Sequence, residues 1–158
     1  MNYVELDSYS RKWIFTHASM PVEADDLAQI KPFTQARSAQ IWREHISSQS
    51  PDADHFEKGD WAFDKNIWSE SIDWQQAWDS DDDENLPSEI LELIDWEDNT
   101  TIFFCYEKYN VIETKWGVFK RNWKNFLFFD DGPMLIGRKK KQVLWFNSNG
   151  TYKYANRS

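Results

Sequence analysis

The chain has 158 residues, 41% of them hydrophobic and 17% aromatic, with ten Trp and a net charge of −9. That length fits one domain with a core of its own, and so many aromatics exclude disorder. No apolar run approaches the roughly 20 residues that cross a bilayer, the opening MNYVELDSYSRKW holds no signal-peptide core, and one cysteine allows no internal disulfide, so a single cytoplasmic domain over 1–158 is expected.

In chain order, KWIFTH at 12–17 is expected to be a short strand, and PVEADDLAQI a helix opened by Pro21 and acidic residues. Thr34 is placed to cap QARSAQIWREHIS, where Ala39, Trp42 and Ile46 share one face. SSQSPDADHFEKGD has no period and collects turn residues, so it is a loop. SIDWQQAW allows a short helix with Trp74 and Trp78 one turn apart, and DSDDDEN is a charge run expected to be solvated. LPSEILELIDW restarts helical order, with Ile90, Leu91 and Ile94 as the stripe.

TTIFFCYE is apolar on both alternating faces and predicts a central strand covered on both sides. NVIETKWGVFKRNWK then predicts a helix, with Asn110 as N-cap, Glu113 three residues on, and Ile112, Trp116, Phe119 and Trp123 as its stripe. Gly117 inside it costs about 1 kcal/mol relative to Ala, so either something packs close there or the helix breaks. NFLFF, PMLIG, QVLWF and TYKYA predict four short strands, with Asn149 and Gly150 the best hairpin signal between them. The expected fold is α+β: an antiparallel meander with helices packed on one face, in a single domain.

Several stretches together carry a resemblance: RKWIFTH, SPDADHFEKGDW and FFCYEKYNVIETKWGVFKRNWKNFLFFDDGPMLIGRKKKQ. The chain resembles a small domain-of-unknown-function family of gamma-proteobacteria, a likeness that spans most of its length and implies no particular activity. The closing pattern, FFDDGPMLIG followed by the SNGTYKY hairpin, is loosely similar to small immunity-type proteins, which would imply binding and neutralising a partner toxin.

Catalytic and metal motifs are absent from the pattern. His17, His45 and His55 are scattered and in no zinc-type spacing, and are expected at the surface or core edge. Asp79, Asp81 and Asp83 match the first three ligand positions of an EF-hand loop, but Glu84 stands where glycine is needed and Ile90 where glutamate is. Cys105 within IFFCYE is expected to be buried and inert. Asp130 and Asp131 could serve as a glycosidase pair, though in FFDDGP they more simply begin a turn. No nucleophile elbow or phosphate-binding glycine loop occurs.

Charge is divided unevenly. Residues 1–99 hold 23 acidic and 7 basic side chains, net −16, whereas residues 100–158 hold 4 acidic and 11 basic, net +7. The plain reading is that the halves pack together and partly neutralise each other. Two candidate surfaces remain. The acidic, aromatic one comprises Asp60, Trp61, Asp64, Trp68, Trp74 and Trp78, a composition that could stack sugars or cage a cation; Trp acting as an anchor for irregular chain is the favoured alternative. The basic one comprises Lys120, Arg121 and Lys124 with Arg138, Lys139, Lys140 and Lys141, suited to nucleic acid or another anion. The leading expectation is a non-enzymatic module without cofactor or metal, binding another, basic protein through its acidic surface and no membrane. A nucleic-acid or anionic-ligand module is the first alternative and a carbohydrate-binding or carbohydrate-acting protein the second; oligomeric state stays open.

Overall fold

In a computed structural model of the chain, which describes residues 2–80, 85–128, 132–147 and 149–157, seven strands form one antiparallel sheet. They are β1 (Lys31–Pro32), β2 (Ile72–Asp73), β3 (Thr101–Glu107), β4 (Asn110–Lys115), β5 (Met134–Gly137), β6 (Gln142–Phe146) and β7 (Thr151–Asn156). Their order is β1-β4-β3-β5-β6-β7-β2. Six helices accompany them: α1 (Trp13–Thr16), α2 (Ala24–Leu27), α3 (Gln35–His45), α4 (Gln75–Asp79), α5 (Ser88–Leu93) and α6 (Trp116–Phe126). The α+β architecture is the one expected.

Side chains alternate along a strand, and β3 uses both faces. Ile102, Phe104 and Tyr106 enter one core with Trp116, Phe119, Trp123 and Phe126 of α6. Phe103 and Cys105 enter a second core with Ile41 and Trp42 of α3. Helices therefore cover both faces, not one, because a strand with apolar side chains on both faces needs cover on each side. The edges are short: β1 and β2 have two residues each, and Pro32 has no N–H to offer a further strand.

Thr34 caps α3 as expected, accepting a 3.2 Å bond from the Arg37 N–H, and Ala39, Trp42 and Ile46 are buried. The meander β5-β6-β7 also matches, and Gly150 takes φ +83° in its last turn, a conformation that suits glycine.

Four expectations are corrected. KWIFTH is not a strand: α1 occupies Trp13–Thr16, and one helical turn lets the adjacent Ile14 and Phe15 both be buried. The buried Asn125 fixes that turn, donating 2.7 Å bonds to the Ile14 and Met20 carbonyls. Residues 110–115 are strand β4, not a helix start; Val111 and Ile112 fill opposite cores, and Glu113 faces Lys31 and Phe103 across the sheet instead of capping anything. NFLFF is no strand over its described residues, since α6 runs to Phe126 and Leu127 is its C-cap. Leu91 is 41% exposed and leaves the α5 stripe to Ile90 and Ile94. The Asp130–Asp131 pair and Asp81–Glu84 lie outside the described residues.

Gly117 is explained by close packing. A Cβ there would stand 2.9 Å from the Asp98 Cβ and 3.2 Å from the Asp98 carbonyl oxygen, which itself accepts the Gly117 N–H at 2.9 Å. The helix does depart from regularity, but later: Asn122 sits at φ −127°, ψ 23°. Its side-chain amide donates to the Val118 carbonyl at 2.9 Å, covering an acceptor that the kink leaves open.

Candidate functional site

The Trp-rich stretch wraps the β7 edge of the sheet. Ser69 binds Tyr154 through its N–H and Oγ, β2 pairs with β7, and the chain passes from one face to the other. Trp61 and Trp68 pack on the α3 side, while Trp74 and Trp78 pack on the α6 side. Their indole N–H groups turn inward: Trp61 to the His45 carbonyl (3.0 Å), Trp68 to Ala62 (3.0 Å), Trp74 to Thr151 (2.9 Å) and Trp78 to Lys124 (2.9 Å). Each ring combines apolar burial with one bond to a backbone carbonyl, which fastens irregular chain to the sheet.

Asp60 is buried with them. It accepts bonds from Ser47 Oγ (2.6 Å), the Glu57 N–H (2.9 Å) and Gln49 Nε2 (3.3 Å), and so closes the 47–60 loop. Asp64 is exposed and caps a single turn through the Asn66 N–H. The six candidates on the acidic, aromatic list thus do not share one open face.

The basic list also divides. On α6, Lys120 pairs with Asp98 at 2.6 Å, and Arg121 grips Asp26 through two bonds of 2.8 and 3.1 Å. Lys124 donates to the Ser80 carbonyl at 2.7 Å. Hydrogen bonding from Arg121, joined by Asn122, holds the Asp26 carboxyl below the usual carboxylate range although burial opposes it. The same partner raises Arg121, and Lys120 likewise lowers Asp98. These are the contacts by which the acidic front and basic rear neutralise each other. Arg138, Lys139, Lys140 and Lys141 are instead exposed in the β5–β6 turn.

An open cleft of about 990 Å3 lies between α2, α5 and α6. The Asp26–Arg121 and Asp98–Lys120 pairs lie in it, with Glu23 and Asp25 on α2 and the exposed Leu91 on α5. Sequence reading missed this cleft because its parts come from segments nearly a hundred residues apart. The available signal was the opposed charge of the two halves, which locates no particular residue.

His55 is exposed and bonded to Asp52 at 2.6 Å, His17 bonds Ser19 at 2.8 Å, and His45 meets Arg157. Among the described residues no three His, Cys, Asp or Glu side chains are grouped to hold a metal. Cys105 is buried, and burial pushes its thiol pKa up. No helix among them is long and apolar enough to cross a membrane.

A family model described as "Protein of unknown function (DUF2947)" matches residues 3–155. The chain belongs to that family. The matched residues include part or all of every strand of the sheet. No curated protein matches the chain, and no solved structure does.

Proposed function

We propose that this member of the family is a non-enzymatic protein-binding module whose acidic surface engages a basic partner, in the manner of an immunity-type or regulatory protein. One observation carries the reading: around the α2–α5–α6 cleft the cations are already taken, while the carboxylates are in excess. Lys120 and Arg121 are paired with Asp98 and Asp26. Of the remaining acids that line the cleft, Glu23 at the α2 N-cap and Asp25 on α2 are exposed and form no ion pair among the described residues, and Glu89, Glu92, Asp95 and Glu97 extend the acidic, exposed surface along α5 and the segment after it. Leu91 supplies an apolar contact within this field, and such a surface speeds encounter with a positively charged partner and rejects acidic ones.

The test is co-expression with the product of each gene adjacent to this one. A basic product should co-elute on gel filtration at low salt, dissociate as salt rises, and bind about tenfold more weakly to Glu23→Lys/Asp25→Lys. Absence of any complex, or a complex indifferent to both salt and charge reversal, overturns the reading.

A further inference from the structure

The β5–β6 turn holds Arg138, Lys139, Lys140 and Lys141, all exposed and none in an ion pair among the described residues. Charge runs at hairpin tips are ordinarily mobile and solvated, but this one is braced. The Lys140 N–H bonds the Gly137 carbonyl at 3.1 Å. Gly137 must lack a side chain, since a Cβ would lie 2.7 Å from Lys140 Cγ and 3.1 Å from the Trp96 ring.

From beneath, Arg157 threads the turn. Its Nη2 donates to the Gly137 and Lys140 carbonyls at 2.8 and 3.0 Å, its Nε to Lys140 at 3.2 Å, and its own backbone N–H to Lys141 at 2.7 Å. The remaining nitrogen, Nη1, stands 2.7 Å from His45 Nδ1. A guanidinium can only donate, so His45 is the acceptor there and is neutral.

Arg157 is therefore a half-buried cation held by three carbonyl contacts and an imidazole, with no carboxylate partner among the described residues. Burial alone lowers its pKa, and the same burial together with Arg157 lowers that of His45. Glu44 lies 3.7 Å from the other His45 nitrogen. Removing a charge from water without a counter-charge is unfavourable, and five cations gathered at one braced turn compound the cost. Local rules are broken in this way where a ligand completes the balance.

We propose that this corner is a binding site for a compact, multivalent phosphate anion of the triphosphate class. Size follows from the surroundings. Four residues extend over at most about 14 Å, and the rest of the chain, without these four cations, carries a net charge of −13 (14 basic against 27 acidic side chains). A long polyanion would run onto that repelling surface, while an anion of a few charged oxygens stays within the turn. Arginine and lysine both suit phosphate oxygens, the former with a planar fork and the latter as movable point charges.

The experiment is calorimetric titration of the full chain with inorganic triphosphate, orthophosphate and a 20-base-pair DNA duplex, all at matched ionic strength. Triphosphate should bind at one site, with orthophosphate about tenfold or more weaker because it reaches fewer donors. Lys139→Ala/Lys140→Ala/Lys141→Ala, altering only exposed side chains, should fold normally by circular dichroism and weaken triphosphate at least about tenfold. Lys120→Ala should leave it unchanged. Equal binding of triphosphate and orthophosphate, triphosphate binding untouched by the triple substitution, or tighter binding of the duplex overturns the proposal.

Discussion

Replacing Asp60 by Ala separates an anchoring role from a ligand-facing one. The carboxylate is 8% exposed and receives three donors. Gln49 Nε2, its longest contact at 3.3 Å, also reaches the Lys58 carbonyl and can turn to water, so its loss counts for little. Ser47 Oγ and the Glu57 N–H remain, at 2.6 and 2.9 Å. A hydrogen bond to a charged group contributes about 1.5–3 kcal/mol, and a donor left unsatisfied in the interior costs a similar amount. Asp60→Ala should therefore destabilise the protein by about 3–5 kcal/mol. In urea denaturation followed by tryptophan fluorescence, the midpoint should fall with little change in slope. Asp60→Asn keeps one acceptor and should lose roughly half as much, and Ser47→Ala combined with Asp60→Ala should cost less than the two separately, because they share a bond. A loss below about 1 kcal/mol for Asp60→Ala would refute the argument and return the carboxylate to the list of ligand contacts.

Gly117→Ala gains about 1 kcal/mol of helix propensity but forces a Cβ to within 2.9 Å of Asp98, and overpacking of that kind costs about 1–3 kcal/mol; a net lowering of the melting temperature is expected, and a rise would show that Asp98 yields freely. Cys105 should resist a thiol reagent in the native protein at pH 8 and react only as urea unfolds it, since it is buried with its pKa pushed up; stoichiometric labelling without denaturant would contradict this. Burial pushes Tyr9 and Tyr152 up to about 12. The unfolded state then loses those protons first, so stability present below pH 10 should decline as pH rises from there toward 12, and absorbance at 295 nm should show phenols titrating late that do so normally in urea.

How far the fold could be read depended on whether a segment's partners were near in sequence. The Thr34 cap acts three residues away, and the 147–151 turn closes through Asn147 and Gly150; both were legible because their chemistry is local. Residues 110–115 carry a false helix signal, because Asn110 and Glu113 stand at capping-box spacing by coincidence. What decides there is that Val111 and Ile112 can fill two cores only as neighbours on a strand, a fact that requires knowing both layers. No turn residue separates β4 from α6, so in the sequence the helical stripe of Trp116, Phe119 and Trp123 runs back unbroken to Ile112.

The charge division was legible in total but not in placement. Arg121 and Asp26 are 95 residues apart, and Asn125 reaches back 111 residues to Ile14. Such pairs show why equal cations on two segments have different prospects. Those on α6 face carboxylates brought over by the N-terminal half and are fixed in place. Those at 138–141 form no ion pair among the described residues, and Arg157, another cation, braces the turn behind them. A surface acidic around one cleft and basic at one braced turn is therefore not the average of its composition. Binding at the two places should respond oppositely to the sign of a ligand, and this is why the partner-protein and triphosphate experiments can fail independently.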